Sequence, residues 1–318
     1  MARFVTNHYL VALGVLIGIG YGLITRLIWG QQMALASLTY LFLIPTVLGV
    51  IPLIFANEAQ VRSYLYIIFI PWLTVLSFFL TMWILRIESL ICLIILGAPF
   101  FVLGTIGALI FRLVLLHQKA KKNVLPAIAF MMLPVLLAPV ENAVNSPSQV
   151  YAVTSEVVID ARPDNVWKNI VRVPEISEGE YRSGVFHSLG IPRPIEAELI
   201  AEGPGAMRKG HFEGGLTFTE HIIDWQPHRK VAFDIVVDPD TIAERVFDQH
   251  VLKGNYFTFI DAGYEIESIN ETQVRLRLTS QYRLTSKVNF YGKFWGDIIL
   301  ADFQDRLLDV IKRRCDRV

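Results

Sequence analysis

The feature that most constrains this chain is the length of its apolar runs in the first 140 residues. A helix that crosses a bilayer needs about 20 consecutive apolar residues. Four runs reach that length: His8–Trp29, Met33–Phe55, Tyr64–Leu85 and Ser89–Leu116. A fifth, "VLPAIAFMMLPVLLAPV" from Val124 to Val140, carries three prolines and stands at the short end of the spanning range of about 17–25 residues. Residues 1–140 are therefore expected to be a transmembrane domain of about five helices (8–29, 33–55, 64–85, 89–116, 124–140). The first run is too long, and too poor in small residues at its end, to read as a cleaved signal peptide.

Lysine and arginine mark the cytoplasmic side of a membrane protein. With five crossings, one side carries Arg3, Arg62, Arg112, Lys119, Lys121 and Lys122, and the other Arg26 and Arg86. That bias predicts a cytoplasmic N-terminus and a C-terminal half on the outer side. If the fifth run only lies in the interface, the C-terminal half stays cytoplasmic. Arg26, Arg86, Glu88 and Arg112 fall near run ends, where snorkelling explains them. No midplane charge pair and no inverted repeat points to transport, so the expectation is an anchor.

A short polar linker, 141–150, leads into a half with a different pattern. "VTSEVVID" (Val153–Asp160) alternates as a strand. "ARPDNVWKNIVRV" follows, with Pro163 suited to a first helical turn and Trp167, Ile170 and Val171 on one face. Alternating segments then recur: "PIEAELIAE", the pair "MRKGHF" and "LTFTEHIIDW" joined at Gly214-Gly215, "KVAFDIVVD", "YFTFIDAGYEIESI" and "TQVRLRLTSQYRL". The last stretch, about Asn289 to Arg314, repeats apolar residues at helical spacing through Trp295, Ile299, Phe303, Leu307 and Val310/Ile311. A one-sided sheet must bury its apolar face, and this helix is the available cover. The fold class expected is a helical transmembrane bundle followed by an α+β domain over 151–318.

These residues carry a resemblance. "VTSEVVIDARPDNVW" looks like the opening of the SRPBCC superfamily, the START-like or helix-grip fold. "SLGIPRPIEAELIAEGPGAMR", "FTEHIIDWQPHRKVAFDI", "AGYEIESINETQVRLRLTSQYRL" and "FYGKFWGDIIL" are similar to bacterial membrane proteins described as polyketide cyclase- or dehydrase-like. The resemblance implies a curved antiparallel sheet wrapped around a long C-terminal helix, a cavity for a hydrophobic ligand between them, and a bacterial inner membrane with the domain in the periplasm. It carries no catalytic motif, and such a fold hosts many activities.

Other chemistries find little footing. The half from residue 151 holds 21 Lys+Arg against 26 Asp+Glu, an acidic balance that argues against nucleic acid as a partner. "EGPGAMRKG" lacks the Gly-Lys-Ser/Thr ending of a phosphate loop. His187, His211, His221, His228 and His250 have no metal-ligand spacing, and Cys92 and Cys315 stand one in each half. "NET" at Asn270 fits a glycosylation sequon, which a bacterial source would leave unused. No nucleophile elbow or local Ser/His/Asp set appears. No cofactor or metal is expected.

What stands out is Arg208 and Glu220. Pairing Trp225 with Lys230 brings Ile222 opposite Phe233 and Glu220 opposite Ile235, so Glu220 points with the aromatics. If an odd-length turn or a bulge joins Phe212 to the Phe218 face, Arg208 points inward too. Two functions fit equally well: a self-satisfied ion pair helped by Tyr256 or Tyr282, or the polar end of a ligand cavity. The predicted ligand-binding set is Arg208, Phe212, Phe218, Glu220, Phe233, Tyr256, Tyr282, Trp295, Ile299 and Phe303. The expected ligand is a lipid or another small amphiphile. The alternatives are a cyclase- or dehydratase-like enzyme with Glu220 as general base, and a structural or partner-binding protein without a ligand.

Overall fold

The computed structural model describes residues 2–33, 37–117, 125–237, 241, 251 and 256–316. The chain divides into two compact units, Met1–Ser146 and Pro147–Val318, each with its own core.

The first unit is helical: α1 (Ala2–Met33), α2 (Ile44–Ile54, entered through a π-turn at Thr39–Leu43), α3 (Glu58–Arg62), α4 (Tyr64–Ile84), α5 (Leu90–His117) and α6 (Leu125–Ala143). Three stretches, Tyr9–Trp29, Tyr64–Ile84 and Leu90–His117, are long and apolar enough to cross a membrane. The second and fifth apolar runs form shorter helices, Thr39–Ile54 and Ala127–Ala143. Pro45 has no N–H to give, and the Ile44 amide bonds back to the Thr39 carbonyl, which widens the turn. α2 is buried almost throughout, as an all-apolar helix should be at the centre of a bundle. It lies hard against α5: a Cβ added to Gly49 would stand 1.9 Å from the Gly104 carbonyl oxygen, and one added to Gly107 2.4 Å from that of Thr46. Small residues are what allow two backbones this close.

Polar contacts tie helix ends together. The Trp29 indole donates to Ser37 Oγ at 3.1 Å, and Ser37 Oγ donates to a Glu141 carboxylate oxygen at 2.8 Å. Glu141 also accepts from the Leu38 and Thr39 amides, 2.7 and 3.1 Å away, which would otherwise be orphaned at the start of a helix. Further along α1, the Tyr21 hydroxyl donates to the Met131 carbonyl at 2.8 Å. α1 and α6 thus run in the same direction. One expectation is overturned here. Arg26 and Glu88 do not snorkel to water: they are 2% and 3% exposed, and Arg26 Nε donates to Glu88 Oε1 at 2.7 Å. Sequence position alone misled, because the fold buries the two side chains against each other. Lys119, Lys121 and Lys122 lie outside the described residues.

α6 ends at Ala143 and the second unit's first strand begins at Ser148. Its elements are β1 (Ser148–Ile159), α7 (Pro163–Val171), α8 (Val185–Ser188), β2 (Pro194–Leu199), β3 (Met207–Phe212), β4 (Thr217–Gln226), β5 (Lys230–Val237), β6 (Phe257–Asn270), β7 (Gln273–Thr285) and α9 (Asn289–Cys315). The seven strands form one curved antiparallel sheet in the order β1-β7-β6-β5-β4-β3-β2, so the first strand closes on the last. α9 lies along the inner face, mainly against β1 and β7, and this is the helix-grip arrangement.

The core sits under the C-terminal half of α9. Leu307, Leu308, Val310 and Ile311 meet Trp167 and Ile170 of α7 and Ile222, Val231, Tyr264 and Leu276 of the sheet. Each fully buried aliphatic side chain there stabilises the fold by about 1.5–3 kcal/mol. The N-terminal half of α9 departs from the predicted stripe. Trp295, Ile299 and Phe303 are only half-buried, while Leu300 and the polar Gln304 are buried. Gln304 is tolerated because its amide donates to Ser280 Oγ at 2.9 Å and to the Val153 carbonyl at 3.2 Å.

Candidate functional site

The site begins at the β3–β4 turn. Residues 213–215 form a three-residue loop in which Gly214 and Gly215 take φ of 76° and 86°, a conformation that side chains with a Cβ disfavour. An odd loop keeps both strands in phase: Arg208 stands opposite Glu220, Gly210 opposite Phe218, and the Phe212 amide donates to the Leu216 carbonyl. On the other side of β4, Ile222 pairs with Phe233 and Glu220 with Ile235. The turn is one residue off the expected register, since Gln226, not Trp225, faces Lys230. A bulge between Ile222 and Asp224 restores the phase. Arg208, Glu220, Phe233 and the phenylalanines therefore share the inner face.

Arg208 Nη1 donates to Glu220 Oε2 at 2.8 Å, and the two residues are 4% and 7% exposed. The guanidinium lies 4.8 Å over the Phe233 ring. Arg208 Nε is buried and meets no acceptor among the described residues. Burial raises the proton affinity of Glu220 above the ordinary carboxylate range, and the Arg208 charge and hydrogen bond only partly offset it. The phenol beside this pair is Tyr264. Burial pushes it up to about 12, with Arg208 pulling it down and Glu220 pushing it up.

Next to the pair runs a string of aromatic rings. Gly210 joins the two features: a Cβ there would stand 3.2 Å from Glu220 Oε1 and 3.4 Å from the Phe212 ring. The Phe212 ring lies tilted 4.5 Å from Phe218, which lies 5.3 Å from Phe259, which in turn lies 5.0 Å from Phe257. Both ends of the string reach α9. Phe303 is 6.1 Å from Phe212, and at the far end Tyr282, 5.5 Å from Phe257, donates to Asp297 Oδ1 at 2.7 Å.

The predicted residues thus separate into groups. Arg208, Glu220 and Phe233 come together, and Phe212, Phe218 and Phe303 adjoin them. Tyr282 does not serve the ion pair as anticipated: its hydroxyl is engaged by Asp297 on α9, and Tyr264 takes the place beside Arg208 instead. Tyr256 is half-buried just before β6 and gives its carbonyl to the Thr285 amide. Trp295 and Ile299 are half-buried on α9. The sequence reading missed Tyr264, Phe257, Phe259 and Gln304. The first three sit on β6, whose alternation is broken by a bulge between Phe259 and Asp261, so one phase read along the strand could not place both ends. Among the described residues, no three His, Cys, Asp or Glu side chains gather as metal ligands would.

No family model matches the sequence, and no curated protein matches it. Solved structures resemble about half of the chain. The Zhui aromatase/cyclase of a Streptomyces species is 14% identical and aligns over 52% of this chain and 94% of its own, with a TM-score of 0.34. Truncated norcoclaurine synthase from Thalictrum flavum is 12% identical over 54% and 94%, with a TM-score of 0.33. A conserved protein from Geobacillus kaustophilus is 12% identical over 52% and 96%, with a TM-score of 0.34.

Proposed function

We propose that residues 147–318 form a binding domain for a lipid or another small amphiphile, held at a membrane by the apolar helices of residues 1–146. The ligand's polar head lies at Arg208 and Glu220 and its apolar part along Phe212, Phe218 and Phe303. One observation carries this reading. A desolvated ion pair adjoins an aromatic wall on the inner face of β3 and β4, beside a helix half whose Trp295, Ile299 and Phe303 are not fully buried. Binding sites of this kind are mostly apolar with a few placed polar groups.

The Glu220 proton affinity favours a second reading, a general base in an enzyme, but as it stands the carboxylate is closed on Arg208. The test is to purify the full chain in mild detergent and identify released small molecules by mass spectrometry, beside an R208M/E220M variant. The expected result is a bound amphiphile on the wild type, held at least about tenfold more weakly by the variant, the equivalent of 1.4 kcal/mol. An empty wild type that also ignores fatty acids, phospholipids and isoprenoids would end the binding reading. Turnover of an added amphiphile, lost in Glu220→Gln, would establish the enzyme instead.

A further inference from the structure

α9 carries an apolar stripe that the fold leaves uncovered. Phe290, Phe294 and Ile298 recur every four residues and are 63%, 55% and 39% exposed. The opposite face of the helix explains why they cannot turn inward. A Cβ at Gly292 would stand 3.0 Å from a Leu284 methyl, and one at Gly296 2.9 Å from the Tyr282 hydroxyl. These glycines press the helix onto β7, and at about 100° per residue the stripe lies roughly 200° away from them. Two phenylalanines and an isoleucine in one row form the kind of exposed apolar patch that marks an interaction site. The surroundings are basic: Arg283 and Lys287 precede the helix, Lys293 (paired with Asp297) flanks the stripe, and the first turn of α9 holds no acid.

The chain limits how far the start of this stripe can lie from the helical unit. The Ser286 amide and the Asn289 side chain both donate to the Pro147 carbonyl, at 3.3 and 2.8 Å. The first turn of α9 is thereby pinned to the first residue of its domain. Only residues 144–146 separate Pro147 from the end of α6 at Ala143. An extended chain covers at most about 3.6 Å per residue, so Pro147 stays within roughly 15 Å of that helix end in any orientation of the domain.

We propose that Phe290, Phe294 and Ile298 dock into the interfacial zone of a phospholipid bilayer, with Lys287 and Lys293 at the level of anionic headgroups, as on an interfacial amphipathic helix. The inference rests on the helical unit being membrane-embedded and is independent of ligand binding.

The test uses the full chain in nanodiscs containing anionic lipid. A cysteine at Phe294→Cys, Phe290→Cys or the exposed Asp305→Cys carries an NBD fluorophore; the native Cys92 and Cys315 are each 1% exposed and escape labelling. At 290 and 294 the emission should shift to the blue and fall about twofold with lipids brominated near the ester, while 305 changes little. Equal, water-like emission at all three positions overturns the proposal. A blue shift at 294 without lipid quenching overturns it as well, because a protein surface then covers the stripe. A chain that will not enter nanodiscs defeats the membrane reading and this inference together, and leaves the amphiphile reading of the C-terminal domain standing.

Discussion

At the scale of single residues, Arg208 and Glu220 make an asymmetric pair. Breaking a buried ion pair from one side costs about 3–5 kcal/mol, whereas replacing both partners by apolar residues of similar volume is often neutral. Arg208→Met should therefore destabilise the C-terminal domain by about 3–5 kcal/mol in denaturant titrations, and R208M/E220M should recover most of that loss. Equal loss in both variants would mean that the pair organises the sheet rather than merely satisfying itself. Two of the perturbed carboxylates of the domain, Glu220 and Glu180, also predict opposite pH dependences. Glu220 binds a proton more tightly folded than unfolded, so its contribution is fully present below the ordinary carboxylate range and is lost as pH rises through its folded-state value. Glu180 is held down to about 2, chiefly by hydrogen bonds from Arg314 at 2.9 and 3.0 Å. Its contribution is present above its unfolded value and is lost as pH falls towards 2. Glu220→Gln should flatten the decline of stability above the carboxylate range, and Glu180→Gln the decline in acid. Midpoints followed from pH 3 to 8 separate the two.

At the scale of elements, what was legible followed from periodicity. The strand segments, the α7 face and the closing helix all repeat their apolar residues at spacings that a sequence exposes directly. The inward phase of Arg208 was legible as well, because a glycine pair in an odd turn leaves one solution that keeps Phe212 and Phe218 on one face. What escaped were places where backbone irregularity resets the phase: the bulge in β6 that moves Tyr264 beside Arg208, and the rotation of α9 that buries Gln304 and leaves Phe294 outside. Close helix contacts escaped too, since an apolar run does not say which of its glycines touches a neighbour. Gly49 and Gly97 make the point testable. Gly49 has a backbone oxygen 1.9 Å from where its Cβ would be, and Gly97 has nothing within 4 Å. Gly49→Ala should cost about 1–3 kcal/mol or more from overpacking, read as a lower melting temperature in detergent, while Gly97→Ala leaves it unchanged or slightly raised.

At the scale of the whole molecule, the open matter is which side of the membrane the C-terminal domain occupies. Counting crossings is a poor guide, because α2 and α6 are both short for a span and α2 is enclosed by its neighbours. A different argument supports the outer side. Tyr21 meets Met131, and Trp29 reaches Glu141 through Ser37, so α6 finishes at the same end of the bundle as α1. If α1 crosses, the chain leaves α6 on the face opposite the N-terminus, however many helices cross between them. Counted with five crossings, the lysine and arginine bias predicts a cytoplasmic N-terminus. The burial of Arg26 against Glu88 sharpens that bias, because one of the two basic residues counted on the outer side is neutralised within the bundle. Alkaline phosphatase fused after the last helix should then be active, and a green fluorescent protein at the same point dark. The reverse pattern would require that α1 does not cross or that the N-terminus lies outside, and Glu141→Ala, which leaves no side-chain acceptor, offers a check on the reason. Loss of its bonds to Ser37, Leu38 and Thr39 removes the tie that brings α6 to the end of α1, so a mixed fusion signal in that variant alone would trace the topology to the contact and not to charge.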